Sequence, residues 1–432
     1  MTSAPAPPLW RNGDFVRLVA AATVSQVGSF ITRTALPFAA ILVLGAGAGE
    51  VAILRGAEIV AGLTIGLVAG AWVDRLRRRP VMIWADLGRA LLLGSIPVAF
   101  IAGSLTLAHL ILVAFGAAVL TTFFDVADRA FLPTVIGRDR LVTANSTLTA
   151  SSSAAEFAGF GAGGWLIQVL TAPIAIAIDA VSFVLSAILL GRIRTKEPAP
   201  TPPEDREPVL REIAAGLRLT LGHPILRPLA LADASVAGFW GVFGAVYLVF
   251  VTEIGFQPAA IGLLAAVGGL SSIAGAVFAG RASRRLGVGR FLISAMVVVT
   301  IGNFCLALAP DATLIGVALL LAQQLLSDSS LTAFDVVVTS IRQASVDDRA
   351  LGRVGASFHT LAMAFLLAGT VIGGVLAETL SVRSALLVGG AGGLLAIAIL
   401  WFSAVRRMAE VPVGLDRLAG PVIAGEDVPL SE

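Results

Sequence analysis

The sequence predicts an all-α polytopic membrane protein, with twelve transmembrane helices arranged as two six-helix halves. Three observations carry that prediction. Apolar residues fill 57% of 432 positions and charged residues 13%, with a mean hydropathy of +0.92. That leaves too little polar surface for a soluble chain of this length. The apolar sequence also divides into runs of about 20 residues, the length that crosses a hydrocarbon core of roughly 30 Å. Finally, the second half echoes the first at a constant offset of 210 residues. Gly28 maps onto Gly238, Gly70 onto Gly280, Phe124-Asp125-Val126 onto Phe334-Asp335-Val336, and Gly163-Gly164 onto Gly373-Gly374. Two like halves facing each other across a site near the bilayer midplane is the plan of many secondary transporters.

The runs place spans 1 to 6 at 17–44, 51–73, 81–102, 106–125, 143–169 and 172–191. Spans 7 to 12 fall at 228–252, 258–280, 290–309, 312–336, 354–377 and 383–404. The domains follow from them: a cytoplasmic N-terminal tail (1–13), an N-terminal half (14–191), a cytoplasmic linker (192–226), a C-terminal half (227–404) and a cytoplasmic tail (405–432). The first tail is Pro-rich and polar, and no signal-peptide pattern precedes span 1. The linker opens with Pro198, Pro200, Pro202 and Pro203, which exclude helix. It then carries Leu210, Ile213, Leu217 and Leu221 at helical spacing, the pattern of an amphipathic helix on the membrane surface. The last tail, rich in Gly, Pro and acidic residues, reads as disordered. Cys305, the one cysteine, lies in span 9, so no intramolecular disulfide forms.

Arginines crowd the loops after even-numbered spans: Arg75, Arg77, Arg78 and Arg79 after span 2, and Arg281, Arg284, Arg285 and Arg290 after span 8. Loops after odd-numbered spans are nearly free of basic residues, Arg383 excepted. The positive-inside bias therefore puts both termini in the cytoplasm of a multi-pass protein of the inner (plasma) membrane. The net charge of +2 reflects that asymmetry and gives no reason to expect a nucleic-acid partner.

The loop after span 2, Gly70-Ala71-Trp72-Val73-Asp74-Arg75-Leu76-Arg77-Arg78-Arg79, resembles the signature loop of the major facilitator superfamily, Gly-x-x-x-Asp-Arg-x-Gly-Arg-Arg/Lys. Arg77 stands where that pattern has glycine. Gly70 permits close helix approach, Asp74 suits a helix N-terminus or an arginine across the interface between halves, and the arginines suit anionic headgroups. The resemblance implies that Gly70, Asp74, Arg75, Arg78 and Arg79 gate the cytoplasmic side; the plainer alternative is that the arginines set topology alone. Further segments are similar to the macrolide-efflux and enterobactin-exporter branch: the run Phe124 to Pro133, Ala144-Asn145-Ser146, Ile178 to Phe183, Ala35-Leu36-Pro37, Arg342-Gln343 and Gly352-Arg353-Val354. The resemblance spans residues 9 to 405 and implies a monomeric carrier.

Span 5 contains Gly159-Phe160-Gly161-Ala162-Gly163-Gly164. It fits Gly-x-Gly-x-x-Gly by spacing, but no strand precedes it, so it is no dinucleotide site. It is similar instead to the exporter signature Gly-Pro-x-x-Gly-Gly, with Phe160 in place of the proline, which implies that Gly159, Gly163 and Gly164 are packing glycines facing the other half. No phosphate-binding Gly-x-x-x-x-Gly-Lys-Ser/Thr occurs, which points away from ATP and toward the proton gradient, with no cofactor.

Ionisable residues inside spans are costly unless paired or wet, and so mark function. Glu156, on one face of span 5 with Ser152, Gly159 and Gly163, is the first candidate proton carrier; the alternative is a structural hydrogen bond. Arg33 of span 1 is expected to pair with Glu58 or Glu156, and Arg55 with Glu58 three residues away. Asp328 lies in the most polar intramembrane run, Gln323 to Ser330, and is a candidate cavity acid. Asp179 suits a structural role, and Asp86, Arg89, Asp125, Asp128, Asp233 and Asp335 suit helix ends or gating ion pairs. Trp240, Phe243 and Tyr247 on span 7 suit packing, as such aromatics more often do, or an apolar, planar or macrocyclic ligand if they face the cavity. His109, His223 and His359 lack metal-ligand spacing and no Gly-x-Ser-x-Gly elbow is present, so no enzyme or metal site is expected. The expectation is alternating-access export of a small hydrophobic drug, macrolide-like antibiotic or siderophore-like metabolite in exchange for protons. The alternatives are an importer or facilitator without proton exchange, and a membrane scaffold or sensor that moves nothing.

Overall fold

The computed structural model describes residues 9–73, 75–137, 140–197, 209–346 and 348–410, and no strand occurs among them. The first half comprises α1 (Gly13–Phe38, continued by a π turn Ala39–Val43), α2 (Ala48–Val73), α3 (Arg78–Ile101), α4 (Leu107–Ile136), α5 (Leu141–Leu170) and α6 (Ala172–Gly191). A short helix α7 (Val209–Gly222) precedes the second half: α8 (Leu226–Glu253), α9 (Pro258–Leu286), α10 (Val288–Leu308), α11 (Leu314–Gln323), α12 (Ser329–Ala344), α13 (Asp348–Thr379) and α14 (Val382–Trp401). A π turn at Gln324–Asp328 joins α11 and α12 into one span. Among the described residues, ten spans are long and apolar enough to cross a membrane by length and composition. The helices α2 and α5, of 26 and 30 residues, complete the bundle.

Several helices outrun the apolar sequence that predicts them. Span 4 was expected to end at 125, but α4 continues through Asp128, Arg129 and Pro133 to Ile136 and stops where Gly137 takes φ +79°. An apolar run measures the bilayer, whereas a helix ends only where its backbone is capped or turned. The amphipathic linker pattern coincides with α7, whose Gly216 lies against the Arg353 carbonyl and Ser357 hydroxyl of α13. Both terminal tails beyond residues 9 and 410 fall outside the described residues.

The packing repeats as the sequence does. In the first half α1 packs on α5 and α6, α3 on α6, and α2 on α4; in the second half the matching pairs are α8 with α13 and α14, α10 with α14, and α9 with α12. The halves meet through α5 with α9 and α13 with α2, again a matched pair. At the first crossing a Cβ on Gly164 would stand 2.9 Å from the Gly262 Cα and closer still to the Pro258 carbonyl oxygen. At the second, a Cβ on Gly374 would stand 2.6 Å from the Ala52 Cβ and 3.4 Å from the Gly49 Cα. Gly164 and Gly374 are 210 residues apart, and so are their partners Ala52 and Gly262. Only residues without a side chain let backbones come this close inside a membrane.

These crossings close one end of the bundle. At the end bearing the loops after odd-numbered spans, a single apolar cluster runs through both halves, including Phe38, Val51, Ile167, Val246, Phe250 and Leu386. At the arginine-rich end the core divides in two. Phe15, Met82, Phe131 and Leu190 belong to the first half alone, and Leu229, Met296, Phe334 and Leu400 to the second alone. The space between the halves therefore opens toward the arginine-rich end.

Two expectations follow. Gly374→Val places two methyl groups on the Ala52 contact, an overpacking cost of about 1–3 kcal/mol. With Cys305 replaced by serine, a cysteine at buried Ala48 should be slow to react with an impermeant maleimide in the parent and several-fold faster in Gly374→Val. The start of α8 supplies the second. His223 Nδ1 accepts the amides of Ile225 and Leu226, both at 3.2 Å, and burial lowers its pKa from 6.5. A lowered folded value means that protons prefer the unfolded state. The cap therefore contributes fully above pH 6.5 and is lost as pH falls below it. The melting difference between wild type and His223→Ala should correspond to about 1 kcal/mol at pH 8 and shrink toward zero by pH 5.

Candidate functional site: the cavity between the halves

The first half presents charge to the space between the halves. Arg55 and Glu58 are one turn apart on α2 and form an ion pair at 3.0 Å, while the other Arg55 nitrogen donates to the Arg33 carbonyl at 3.2 Å. Arg55 thus ties α2 to α1 and takes the carboxylate expected for Arg33. The expectation that Arg33 pairs with Glu58 or Glu156 is not met, since Arg33 forms no ion pair within 4.0 Å among the described residues. Its guanidinium lies 5.7 Å from the centroid of Phe30 and in the fields of Arg55, Glu58 and Glu156. The exposed Arg33 side chain, in mid-helix among these groups, lines the cavity rather than the core.

The glycine-bearing face of α5 is turned differently from the sequence expectation. A Cβ on Gly159 would stand 2.5 Å from the Phe30 Cβ, and one on Gly163 would stand 3.3 Å from the Ile31 Cα. Both therefore pack on α1 of their own half, and only Gly164 meets the other half. Helical spacing shows which residues share a face but not which neighbour that face meets. Phe160 packs on Phe30 at 5.2 Å, and α5 runs unbroken past it. Half-exposed Glu156 sits a turn below this contact, within the fields of Arg33 and Asp328.

The second half presents an acid, a tyrosine and an aromatic ladder. Asp328 ends the π turn, where a backbone wound wider than an α-helix shifts the side chains around the axis. Neighbouring helices hold the turn. Gln324 Nε2 donates to the Leu264 carbonyl at 3.1 Å, and the Ser271 hydroxyl donates to the Gln324 carbonyl at 2.9 Å. The Ser327 hydroxyl lies 3.2 Å from the Val299 carbonyl and 3.1 Å from Asn303 Oδ1. Gly268 leaves room for the Asp328 carboxylate against α9. Tyr247 lies in the field of Asp328 and stacks on Phe243 at 4.5 Å and 15°, and Trp240 meets Phe243 edge-on at 4.9 Å. The polar run marks this turn in the sequence; its π winding has no residue signature.

The loop after α2 was expected to gate. Gly70 lies in the last turn of α2, Asp74 falls outside the described residues, and Arg75 is exposed. Arg78 and Arg79 begin α3, and their backbone amides donate to Glu197 at 2.5 and 3.2 Å. Arg79 Nε in turn donates to the Leu190 carbonyl at 2.8 Å, and its Nη2 donates to the Gly191 carbonyl. Glu197 thus caps α3 while Arg79 caps α6, so in this conformation both arginines hold the first half together. Asp14 adds to this knot, accepting the amides of Arg194 and Thr195 at 3.1 and 2.8 Å. Sequence inspection passed over Glu197 because it lies in a proline-rich linker.

Asp86, Arg89 and Asp179 are buried and partnered inside the first half. Asp86 and Arg89 form a buried ion pair within α3, and the guanidinium is clasped between Phe124 at 4.5 Å and Phe183 at 4.1 Å. Asp179, 1% exposed, accepts the Ser182 hydroxyl at 3.0 Å beside Gly28. No group of three or more metal-ligating side chains occurs among the described residues.

Comparison with known proteins agrees with this architecture. The chain is 27% identical over 312 residues to the multidrug efflux pump Tap of Mycolicibacterium fortuitum, covering 71% of this chain and 76% of that protein. It is 24% identical over 395 residues to the MFS-type transporter YfiS of Bacillus subtilis, covering 89% and 91%. Among solved structures, a bacterial homologue of the iron transporter ferroportin in an inward-facing state superposes with a TM-score of 0.71 at 19% identity, and the nucleoside transporter NupG with 0.71 at 13%. Each covers 91% of this chain and 99% of the other, and at these identities the likeness is one of fold. The profile of the Major Facilitator Superfamily matches residues 18–322 and 229–426. The chain belongs to the Major Facilitator Superfamily and is a transporter, not an enzyme.

Proposed function

We propose that the protein is a proton-coupled exporter of hydrophobic small molecules, working by alternating access from the plasma membrane with both termini in the cytoplasm. One observation carries this reading: Asp328 of the second half lies in the field of Glu156 of the first and beside Tyr247 of the Trp240–Phe243–Tyr247 ladder. Two carboxylates facing each other repel when both are charged, so protonation of one favours approach of the halves. Bound substrate then covers the aromatic wall, and the two ligands bias opposite conformations. With the arginine-rich end cytoplasmic, the opening described here faces inward and awaits cargo. Macrolide-like antibiotics and siderophore-like metabolites fit an apolar wall facing a charged one, and efflux agrees with the similarity to a multidrug pump. The proton gradient is the proposed energy source, with no cofactor, and the protein works as a monomer in the bilayer.

A second reading, a facilitator or importer without proton exchange, draws on Phe160, which takes the position of the exporter signature's proline and leaves α5 unbroken. Efflux of lipophilic dyes and macrolides from expressing cells, with and without an uncoupler, decides between them. The exporter reading expects uncoupler-sensitive efflux in wild type and efflux at background in Glu156→Gln. Efflux that survives both the uncoupler and the substitution would establish the facilitator.

A further inference from the structure

Outside the cavity, a groove of about 320 Å³ lies between α9, α10 and α12. Its walls include Gly275, Phe278, Ala282, Phe291, Ser294 and Ser330. We propose that this groove binds one acyl chain of an anionic phospholipid, whose headgroup is held by the arginines at its mouth.

The groove has a sequence cause. In the first half, the position 210 residues before Ser330 is Leu120, which reaches across to α3 at Gly88, where an added Cβ would stand 2.7 Å from its Cδ1. The position matching Ser294 is Trp84. The repeat thus carries large apolar side chains at these positions in one half, Leu120 packed on Gly88 and Trp84 largely exposed, and two hydroxyls in the other. At the floor, Gly275 lets α9 ride directly on the Ser329 backbone. Ser294 donates to its own helix, at the Phe291 carbonyl, at 2.9 Å, and Ser329 likewise donates to Leu325. With Ser294 and Ser329 bonded locally, Ser330 is the one other hydroxyl in a lining that is otherwise Ala, Gly, Val, Leu and Phe, so the wall is mainly apolar.

Length, charge and exposure select the occupant. From Gly275 to Leu286 the groove follows α9 for about 16 Å at 1.5 Å per residue, close to one leaflet of a ~30 Å core. Phe278 and Leu286 are exposed along it, as lipid-facing side chains are. Close in sequence to its lining residues Ala282, Leu286 and Phe291, the side chains of Arg281, Arg284, Arg285 and Arg290 are all exposed, and none forms an ion pair with a described residue. Four exposed guanidinium groups flanking an apolar channel match a phosphate headgroup above a hydrocarbon tail. The floor residue Ser329 follows directly on the π turn that carries Asp328, so a seated chain bears on the backbone of the cavity acid.

The test is lipid retention by native mass spectrometry of the full-length protein, purified from bilayers of equal phosphatidylglycerol and phosphatidylethanolamine. It needs no transported substrate, so its outcome is independent of the export reading. Ser330→Leu and Ser294→Trp install the residues that the first half carries at the matching positions, which keeps both within what the fold accepts. Each should lower tight phosphatidylglycerol retention about tenfold, the effect of roughly two methylene groups losing apolar cover. Combined Arg284→Gln, Arg285→Gln and Arg290→Gln should leave a chain bound but abolish the preference for the anionic lipid. Retention equal to wild type in both groove variants, with unchanged melting, would overturn the proposal. So would an anionic preference that survives loss of the arginines, or a groove that retains a lipophilic dye but no phospholipid.

Discussion

Everything in this molecule hangs on two backbone contacts made by glycine. Gly164 brings α5 onto α9, and Gly374 brings α13 onto α2, with the partner positions Ala52 and Gly262 also 210 residues apart. Because the pair is symmetric, the halves meet on two struts of equal reach, and the apolar core is continuous only at that end. Beyond the struts the buried cores of the two halves separate among the described residues. A contact between small residues depends on dispersion at close range, without hydrophobic drive in lipid. Such a contact suits the proposed alternating access, in which it would be exchanged for a similar contact at the other end at little net cost.

The repeat has kept packing and discarded chemistry. At the offset of 210, Arg33 answers to Phe243, Glu58 to Gly268, Glu156 to Leu366, and Asp328 to Ala118. Each charged cavity residue thus faces a partner half that holds an aromatic, aliphatic or small residue at the equivalent place. The first wall carries Arg33, Glu58 and Glu156 beside Phe30, and the second carries Asp328 beside the Trp240–Phe243–Tyr247 ladder, so the two walls are chemically unlike. Glycines outlast this divergence because a Cβ at Gly164 would meet the backbone of Pro258 and Gly262, and one at Gly374 the Ala52 methyl and the Gly49 backbone.

Much of the fold was legible in sequence, because bilayer thickness imposes a length and the repeat imposes a symmetry. Span 6 at 172–191 coincides with α6, and the amphipathic run predicts α7. What escaped was anything set by rotation about a helix axis. Gly159 and Gly163 share a face by spacing, but that face meets α1 and not the second half. Arg33 had two reasonable partners in sequence, and Arg55 took one of them through a shorter, same-helix path. The π turn changes where Asp328 points without any residue code for it. Glu197 caps α3 from more than a hundred residues away, beyond the reach of local pattern.

The account stands on the struts acting as a pivot, which paired distance measurements at the two ends test directly. Spin labels at Gly47 and Thr379 report the closed end, and labels at Thr143 and Arg281 report the open end. Lowering the pH to protonate cavity carboxylates should shift the two distributions in opposite senses, the first lengthening as the second shortens. If the second shortens while the first stays fixed, or both move together, the halves do not rock about the glycine crossings and the account is wrong.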